Sequence, residues 1–252
     1  MVTRREMRAD KLMQALRQSD RLHLKEAAAL LGVSEMTIRR DLHGQRAPLS
    51  LLGGYIVLTR SASPHYLLSD QQQRHVHEKR CAARLAAAIV EPHQTLFFDC
   101  GTTTPLVIEA LDDALPFTGV CYSLNTFLAL REKPACRVIL CGGEFHANNA
   151  VFQPLSFQET LGNLCPDIAF LSAAGVHAQQ GASCFNLNEL PVKQWALKMA
   201  QRRVLVIDSS KFGQVRPVCM GPLASFNLLI SNAAPPADII QTARLSNVAL
   251  RY

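Results

Sequence analysis

The stretch Asp99-Cys100-Gly101-Thr102-Thr103-Thr104-Pro105 gathers three hydroxyls and a glycine between an apolar run and a helical stretch. Hydroxyls, backbone N–H groups and a helix N-terminus together suit a phosphate, and glycine lets backbone come close to a ligand. The loop lacks the Gly-Lys-Ser/Thr ending of a Walker loop. A threonine-rich helix cap is its plainer reading. Lys211, just beyond Asp208, supplies a cation of the kind a phosphate needs. Ser123 and Asn125 follow a second apolar run, and Gly142-Gly143 follow a third. Asp99, Glu189 and Asp208 are candidate acceptors for sugar hydroxyls. Lys193 stands four residues after Glu189, a spacing that pairs them on one helical face. His146 and His177 read as partly exposed loop residues. None of the eight histidines, His75 and His77 included, shows metal-ligand spacing, and no metal or cofactor is expected.

A second constellation lies near the N-terminus, in Leu24-Lys-Glu-Ala-Ala-Ala-Leu-Leu-Gly-Val-Ser-Glu-Met-Thr-Ile-Arg-Arg-Asp-Leu42. Ala27, Ala28 and Leu31 are spaced to pack one helix on another, Gly32 permits the sharp turn, and Val33, Ile38 and Leu42 point inward. That is the geometry of a helix-turn-helix. Its outward face carries Ser34, Glu35, Thr37, Arg39 and Arg40. Small hydroxyls at a helix start reach base edges or phosphates, and arginine takes guanine bidentately or clamps phosphate. One of Arg39 and Arg40 is expected on DNA, while the other pairs with Asp41 or Glu35. Lys25 and the Gly53-Gly54 turn are within reach of the backbone of double-stranded DNA.

The elements that position these residues follow from periodicity. Residues 4–17 are an amphipathic helix by pattern, residues 24–31 are strong helix formers, and Ser34 caps a helix reaching about residue 43. Leu49–Leu52 and Tyr55–Leu58 flank a glycine turn and read as a β-hairpin, completing a winged helix. Residues 59–75 are polar and weakly periodic, a linker. From about Glu78 a helix leads into alternating strands (95–99, 119–121, 137–141, 168–172, 203–207, 228–231) and helices (near 105–112, 125–131, 156–162, 191–201, 236–243). Such alternation predicts a mostly parallel sheet covered on both faces. The expected organisation is therefore an α/β protein: a winged helix-turn-helix over 1–58, the linker, and a mostly parallel α/β domain over 76–252.

Charge follows the same division. Of the formal net charge of +6, residues 1–60 carry +5 and residues 61–252 carry +1, as expected of a nucleic-acid reader joined to something else. The eight cysteines include no C-x-x-C pair, and several sit in apolar runs, which fits buried thiols in a reducing compartment. No secretory signal pattern is visible, and no run approaches a membrane span, so a cytoplasmic place is expected.

Val33-Ser34-x-x-Thr37-Ile38-Arg39-Arg40-Asp41-Leu42 followed by Leu52-Gly53-Gly54 resembles the signature of the DeoR family of bacterial regulators. Asp99-Cys100-Gly101-Thr102-Thr103, Gly142-Gly143 and Asp208-Ser209-Ser210-Lys211-Phe212 are similar to that family's sensor domain in order and spacing. The resemblance implies a homo-oligomeric repressor that leaves its operator when a phosphosugar binds. Residues 51–58, 97–105, 121–130 and 184–193 are most similar to a member governing deoxyribonucleoside breakdown, which implies deoxyribose 5-phosphate as the effector. The C-terminal domain also resembles ribose-5-phosphate isomerase A. Those enzymes carry a catalytic Asp-Gly-Ala-Asp stretch where this chain has Leu171-Ser172-Ala173-Ala174-Gly175, and a lysine where it has Gln180. Isomerisation needs a carboxylate base. A phosphosugar isomerase or deaminase with a DNA-binding appendage is thus the second expectation, and the phosphate grip without the catalytic groups is the first.

Overall fold

A computed structural model describes residues 4–16, 22–42, 49–52, 54–58, 74–156, 159 and 161–252. The chain divides into two compact units, residues 1–65 and 66–252.

In the first unit, α1 (Arg4–Leu16), β1 (Leu22–His23), α2 (Leu24–Leu31) and α3 (Glu35–Leu42) precede β2 (Leu49–Leu52) and β3 (Tyr55–Leu58). Leu12, Leu16, Leu24, Ala27, Ile38 and Ile56 form its core. The α2 start is doubly capped: His23 Nδ1 accepts from the Lys25 N–H, and the Glu26 carboxylate accepts from the His23 N–H. Its end is Gly32, at φ 63°. Nothing lies within 4 Å of a Cβ added there, so the left-handed backbone, not crowding, calls for glycine. The hairpin is joined by β1 into a three-stranded sheet, β1-β3-β2, where the sequence predicts two strands. Gly53 of the expected turn lies outside the described residues.

In the second unit, α4 (Val76–Ala87) is followed by β4 (Thr95–Phe98), α5 (Thr104–Glu109), β5 (Phe117–Cys121), α6 (Leu124–Arg131) and β6 (Cys136–Leu140). Beyond the hairpin β7 (Glu144–His146)–β8 (Val151–Gln153) come β9 (Ile168–Leu171), β10 (Gly175–His177) and β11 (Gly181–Cys184). Then follow α7 (Leu190–Met199), β12 (Arg202–Val206), β13 (Val218–Gly221), β14 (Leu228–Ile230), α8 (Ala237–Leu245) and β15 (Ala249–Arg251). Seven strands form a sheet in the order β15-β14-β12-β9-β4-β5-β6, and all its pairings are parallel.

Alternate residues bury opposite faces. Leu96, Phe98, Ile168, Phe170, Val204 and Val206 meet α4, α5 and α6 through Ala82, Ala83, Ala86, Val107, Ile108 and Leu130. Phe97, Ala169, Leu171, Leu205 and Ile207 meet α7 and α8 through Val192, Trp195, Ala196, Ile239 and Ala243. Strands buried on both faces explain why these runs read as continuously apolar. The antiparallel β10-β11-β13 sheet is a further layer that the sequence reading does not predict. The helix expected near 156–162 falls partly outside the described residues.

From β4 the chain moves outward to β5, whereas β9 and β12 lie on the other side of β4. The order therefore reverses between β4 and β9, where an open parallel sheet leaves a crevice at its carboxyl ends.

Candidate functional site

The α3 helix starts on Ser34, whose Oγ accepts from the Thr37 N–H at 3.2 Å and lies 2.9 Å from Thr37 Oγ1. Both hydroxyls thus stand at the helix start, where an approaching phosphate finds helix N–H groups as well. Arg39 and Arg40 are exposed, as is Lys25 at the start of α2, and Glu35 is half-buried. Ile38, 1% exposed, anchors the opposite face. Asp41 is bound by Arg8 of α1, with 2.7 Å from Arg8 Nε to Asp41 Oδ2 and a second contact at 2.6 Å. The sequence expectation pairs Arg39 or Arg40 with Asp41 or Glu35; for Asp41 the structure adds a partner that α1 brings from 33 residues away, which local spacing does not reveal.

At the sheet crevice, the carboxylate of Asp99 ends β4 fully buried and saturated with donors. Its Oδ1 accepts from Tyr122 Oη at 2.7 Å and the Cys100 N–H at 2.8 Å. Its Oδ2 accepts from the Ser172 N–H, Ser172 Oγ and Lys193 Nζ at 2.9, 2.8 and 2.5 Å. Burial opposes the charge on Asp99, yet Lys193 and these hydrogen bonds outweigh it and hold the carboxyl below its usual range. By the same pairing, and against its own burial, Lys193 stays protonated well above the ordinary lysine range. Glu189 Oε2 lies 3.5 Å from Lys193 Nζ, and its Oε1 accepts from Asn149 Nδ2 and Asn186 Nδ2 at 2.8 and 2.6 Å.

Above this network lies a cavity of about 210 Å³. Its described lining includes Thr102 and Thr103, Ser210 and Lys211, and Ser172, Ala173 and Ala174. Among the described lining residues its cations are Arg74, Lys193, Lys211 and Arg216, against the one carboxylate of Glu189. Cys100, Cys184 and Phe185 add an apolar wall. Arg216 is fixed by its Nε donating to the Ala174 carbonyl at 3.3 Å and by lying 5.0 Å over the Phe185 ring. Burial pushes the thiols of Cys100 and Cys184 up, the latter to about 12, so both wall thiols are neutral. The described lining thus combines cationic side chains with hydrogen-bonding groups.

Of the residues proposed from sequence, Gly101, Thr102, Thr103, Glu189 and Lys211 meet in this cavity. Asp99 lies beneath its floor. Thr104 Oγ1 donates to the carbonyls of Asp99 and Gly101 and so holds the loop from behind. Asp208 caps the turn carrying Lys211, accepting from the Ser210 N–H at 3.1 Å. Ser123 caps α6 through the Thr126 N–H, Asn125 faces a separate groove, and neither lines the cavity. Nor does Gly142-Gly143: Gly143, at φ 137°, packs where a Cβ would come within 2.0 Å of the Gln153 carbonyl. The backbone approach at Gly101 is likewise to protein, since a Cβ there would sit 2.1 Å from Ser172 Oγ. Sequence reasoning misses Arg74, Ser210 and Arg216. Arg74 falls in a segment read as linker, and Arg216 sits just before the unpredicted strand β13.

Comparison with known proteins fits this geometry. Residues 8–60 match the DeoR-like helix-turn-helix domain, and residues 74–233 match the DeoR C-terminal sensor domain. The chain belongs to the DeoR family. It is a DNA-binding transcriptional repressor with a sensor domain, not an enzyme. It is 64% identical, over 100% of both chains, to the deoxyribose operon repressor of Escherichia coli (strain K12). It is 27% identical to the glycerol-3-phosphate regulon repressor of the same organism, covering 91% of this chain and 92% of that one. Among solved structures, a ribose 5-phosphate isomerase A from Methanocaldococcus jannaschii aligns over 53% of each chain with 17% identity and a TM-score of 0.41. Among the described residues no helix is long and apolar enough to cross a membrane.

Proposed function

We propose that the chain represses genes of deoxyribonucleoside breakdown and releases its operator when deoxyribose 5-phosphate fills the sensor cavity. The observation that carries this reading is the cavity lining: among its described residues, four cations and two threonine hydroxyls stand with one carboxylate near the carboxyl ends of β4 and β9. A phosphate of charge about −1.5 to −2 suits the end bearing Thr102, Thr103, Ser210 and Lys211. The Lys193–Glu189–Asn186 floor offers both donors and acceptors for sugar hydroxyls. Asp99 holds that floor and the loop in place without touching the ligand. The names of the relatives favour the same class, since one is a deoxyribose operon repressor and another a glycerol-3-phosphate regulon repressor. On the DNA side, Ser34, Thr37 and one or both of Arg39 and Arg40 read the operator, with Lys25 and Glu35 flanking them. Paired half-sites call for a homo-oligomer, because a single recognition helix reads one half-site.

Calorimetric titration of the full chain with deoxyribose 5-phosphate, free deoxyribose and inorganic phosphate tests this reading. The phosphorylated sugar binds at least tenfold tighter than either part, and Lys211→Gln weakens it by about tenfold or more, the worth of one charge-assisted hydrogen bond. Equal affinity for free deoxyribose, or no effect of Lys211→Gln, contradicts the assignment.

A further inference from the structure

Two of the cavity's lining residues, Arg74 and His75, precede β4 in the chain, whereas the other described lining residues all follow it. They precede α4 and directly follow residues 59–73, through which the chain reaches the helix-turn-helix. Resting on the reading of the cavity as the effector site, we propose that Arg74 is the coupling residue of this repressor. Its guanidinium clamps the bound phosphate, and the ligand state thereby passes into the chain leading to the DNA-binding unit.

Several observations carry this. Arg74 is exposed, and among the described residues no carboxylate pairs with it, so its charge is available to a ligand. The other cavity cations are fixed: Lys193 by Asp99, Arg216 by the Ala174 carbonyl and Phe185, and Lys211 on a turn capped by Asp208. Arg74 alone is followed by a backbone corner, His75 at φ 51°, ψ 40°, with no side-chain cap onto α4. A non-glycine residue in that region is strained and marks where the chain direction is imposed.

Beyond the corner α4 packs into the core. Ala82, Ala83 and Ala86 are buried, and the Lys79 N–H bonds the His75 carbonyl at 3.0 Å. Lys79 itself is 1% exposed; burial, Lys211 and Arg74 oppose its charge, and Asp208 and Glu78 favour it. Arg74 and Lys79 therefore repel each other, and a phosphate bound beside Arg74 brings the opposite charge.

The test compares Arg74→Gln with Lys211→Gln in the full chain. Calorimetry with deoxyribose 5-phosphate sets the saturating concentration for each. Operator dissociation constants are then measured with and without saturating sugar phosphate, and the ratio is the coupling. For the wild type and Lys211→Gln we expect the same ratio, within the 5–150-fold range typical of allosteric coupling, although Lys211→Gln needs more ligand. For Arg74→Gln we expect weaker ligand binding and a ratio below about threefold at saturation. An Arg74→Gln protein that releases DNA by the wild-type ratio overturns the inference alone. A loss of ratio in Lys211→Gln equal to that in Arg74→Gln also overturns it, by showing that any lost phosphate contact uncouples the protein. A wild type that binds no sugar phosphate overturns the site reading beneath it.

Discussion

Asp99 shows how one buried group can organise a site that it does not enter. Removing a carboxylate from water is costly unless every lone pair finds a donor, and here Tyr122, Cys100, Ser172 and Lys193 supply them. Asp99→Asn leaves Lys193 buried against a neutral amide whose NH₂ group faces other donors. We expect a loss of about 3–5 kcal/mol in stability, the usual cost of breaking a buried pair, read from urea unfolding. A loss below about 1 kcal/mol would show that Glu189 alone satisfies Lys193. Lys79 has the opposite balance. Burial outweighs Asp208 and lowers its pKa from 10.5 to about 8. Between about pH 8 and 10.5 the unfolded chain then holds more protons than the folded one, so this group adds stability as pH rises. Lys79→Met should flatten the rise in the urea midpoint between pH 8 and 10 relative to the wild type. An unchanged slope would place the lysine charge in water.

At the scale of elements, the turns that matter are set by single residues of two different kinds. Gly32 is required by its dihedral angle and Gly101 by the space beside Ser172. Gly32→Ala should therefore cost about 1 kcal/mol, and Gly32→Asn less, since asparagine tolerates the left-handed region. Gly101→Ala forces Ser172 off Asp99, so it should cost more than Gly32→Ala and weaken sugar-phosphate binding as well. Thermal melts of the three variants, with calorimetry on the last, check this order. The same elements show what a sequence reveals. Helix caps and apolar runs are local signals, so the helix-turn-helix and six of the seven parallel strands are legible to within about two residues, while the three-residue β15 is not. The β10-β11-β13 sheet consists of three- and four-residue strands containing Gly175, Gly181 and Gly221, too short and too glycine-rich for a period of two to emerge. The Thr loop and Lys211 are visible because they end predicted strands. Arg74 and Arg216 reach the same cavity by tertiary placement alone, and Gly142-Gly143 looks like a ligand loop because close approach to protein and to ligand leave the same glycine signal.

For the whole molecule, the reader and the sensor are separate compact units, so damage to one should leave the other's binding intact. Arg39→Ala should weaken operator binding and reduce its salt dependence if it contacts phosphate, or relax base preference if it contacts guanine. Its affinity for deoxyribose 5-phosphate should match the wild type. Equal damage to both activities would contradict two separable units. The most direct test of the central claim is fluorescence anisotropy of the full chain on promoter DNA from deoxyribonucleoside-breakdown genes. It is done at fixed salt, because phosphate contacts make affinity steeply salt-dependent, and titrated with deoxyribose 5-phosphate. We expect tight binding that falls at least fivefold as the sugar phosphate saturates, with free deoxyribose having no effect. Tight binding that deoxyribose 5-phosphate leaves unchanged would contradict it.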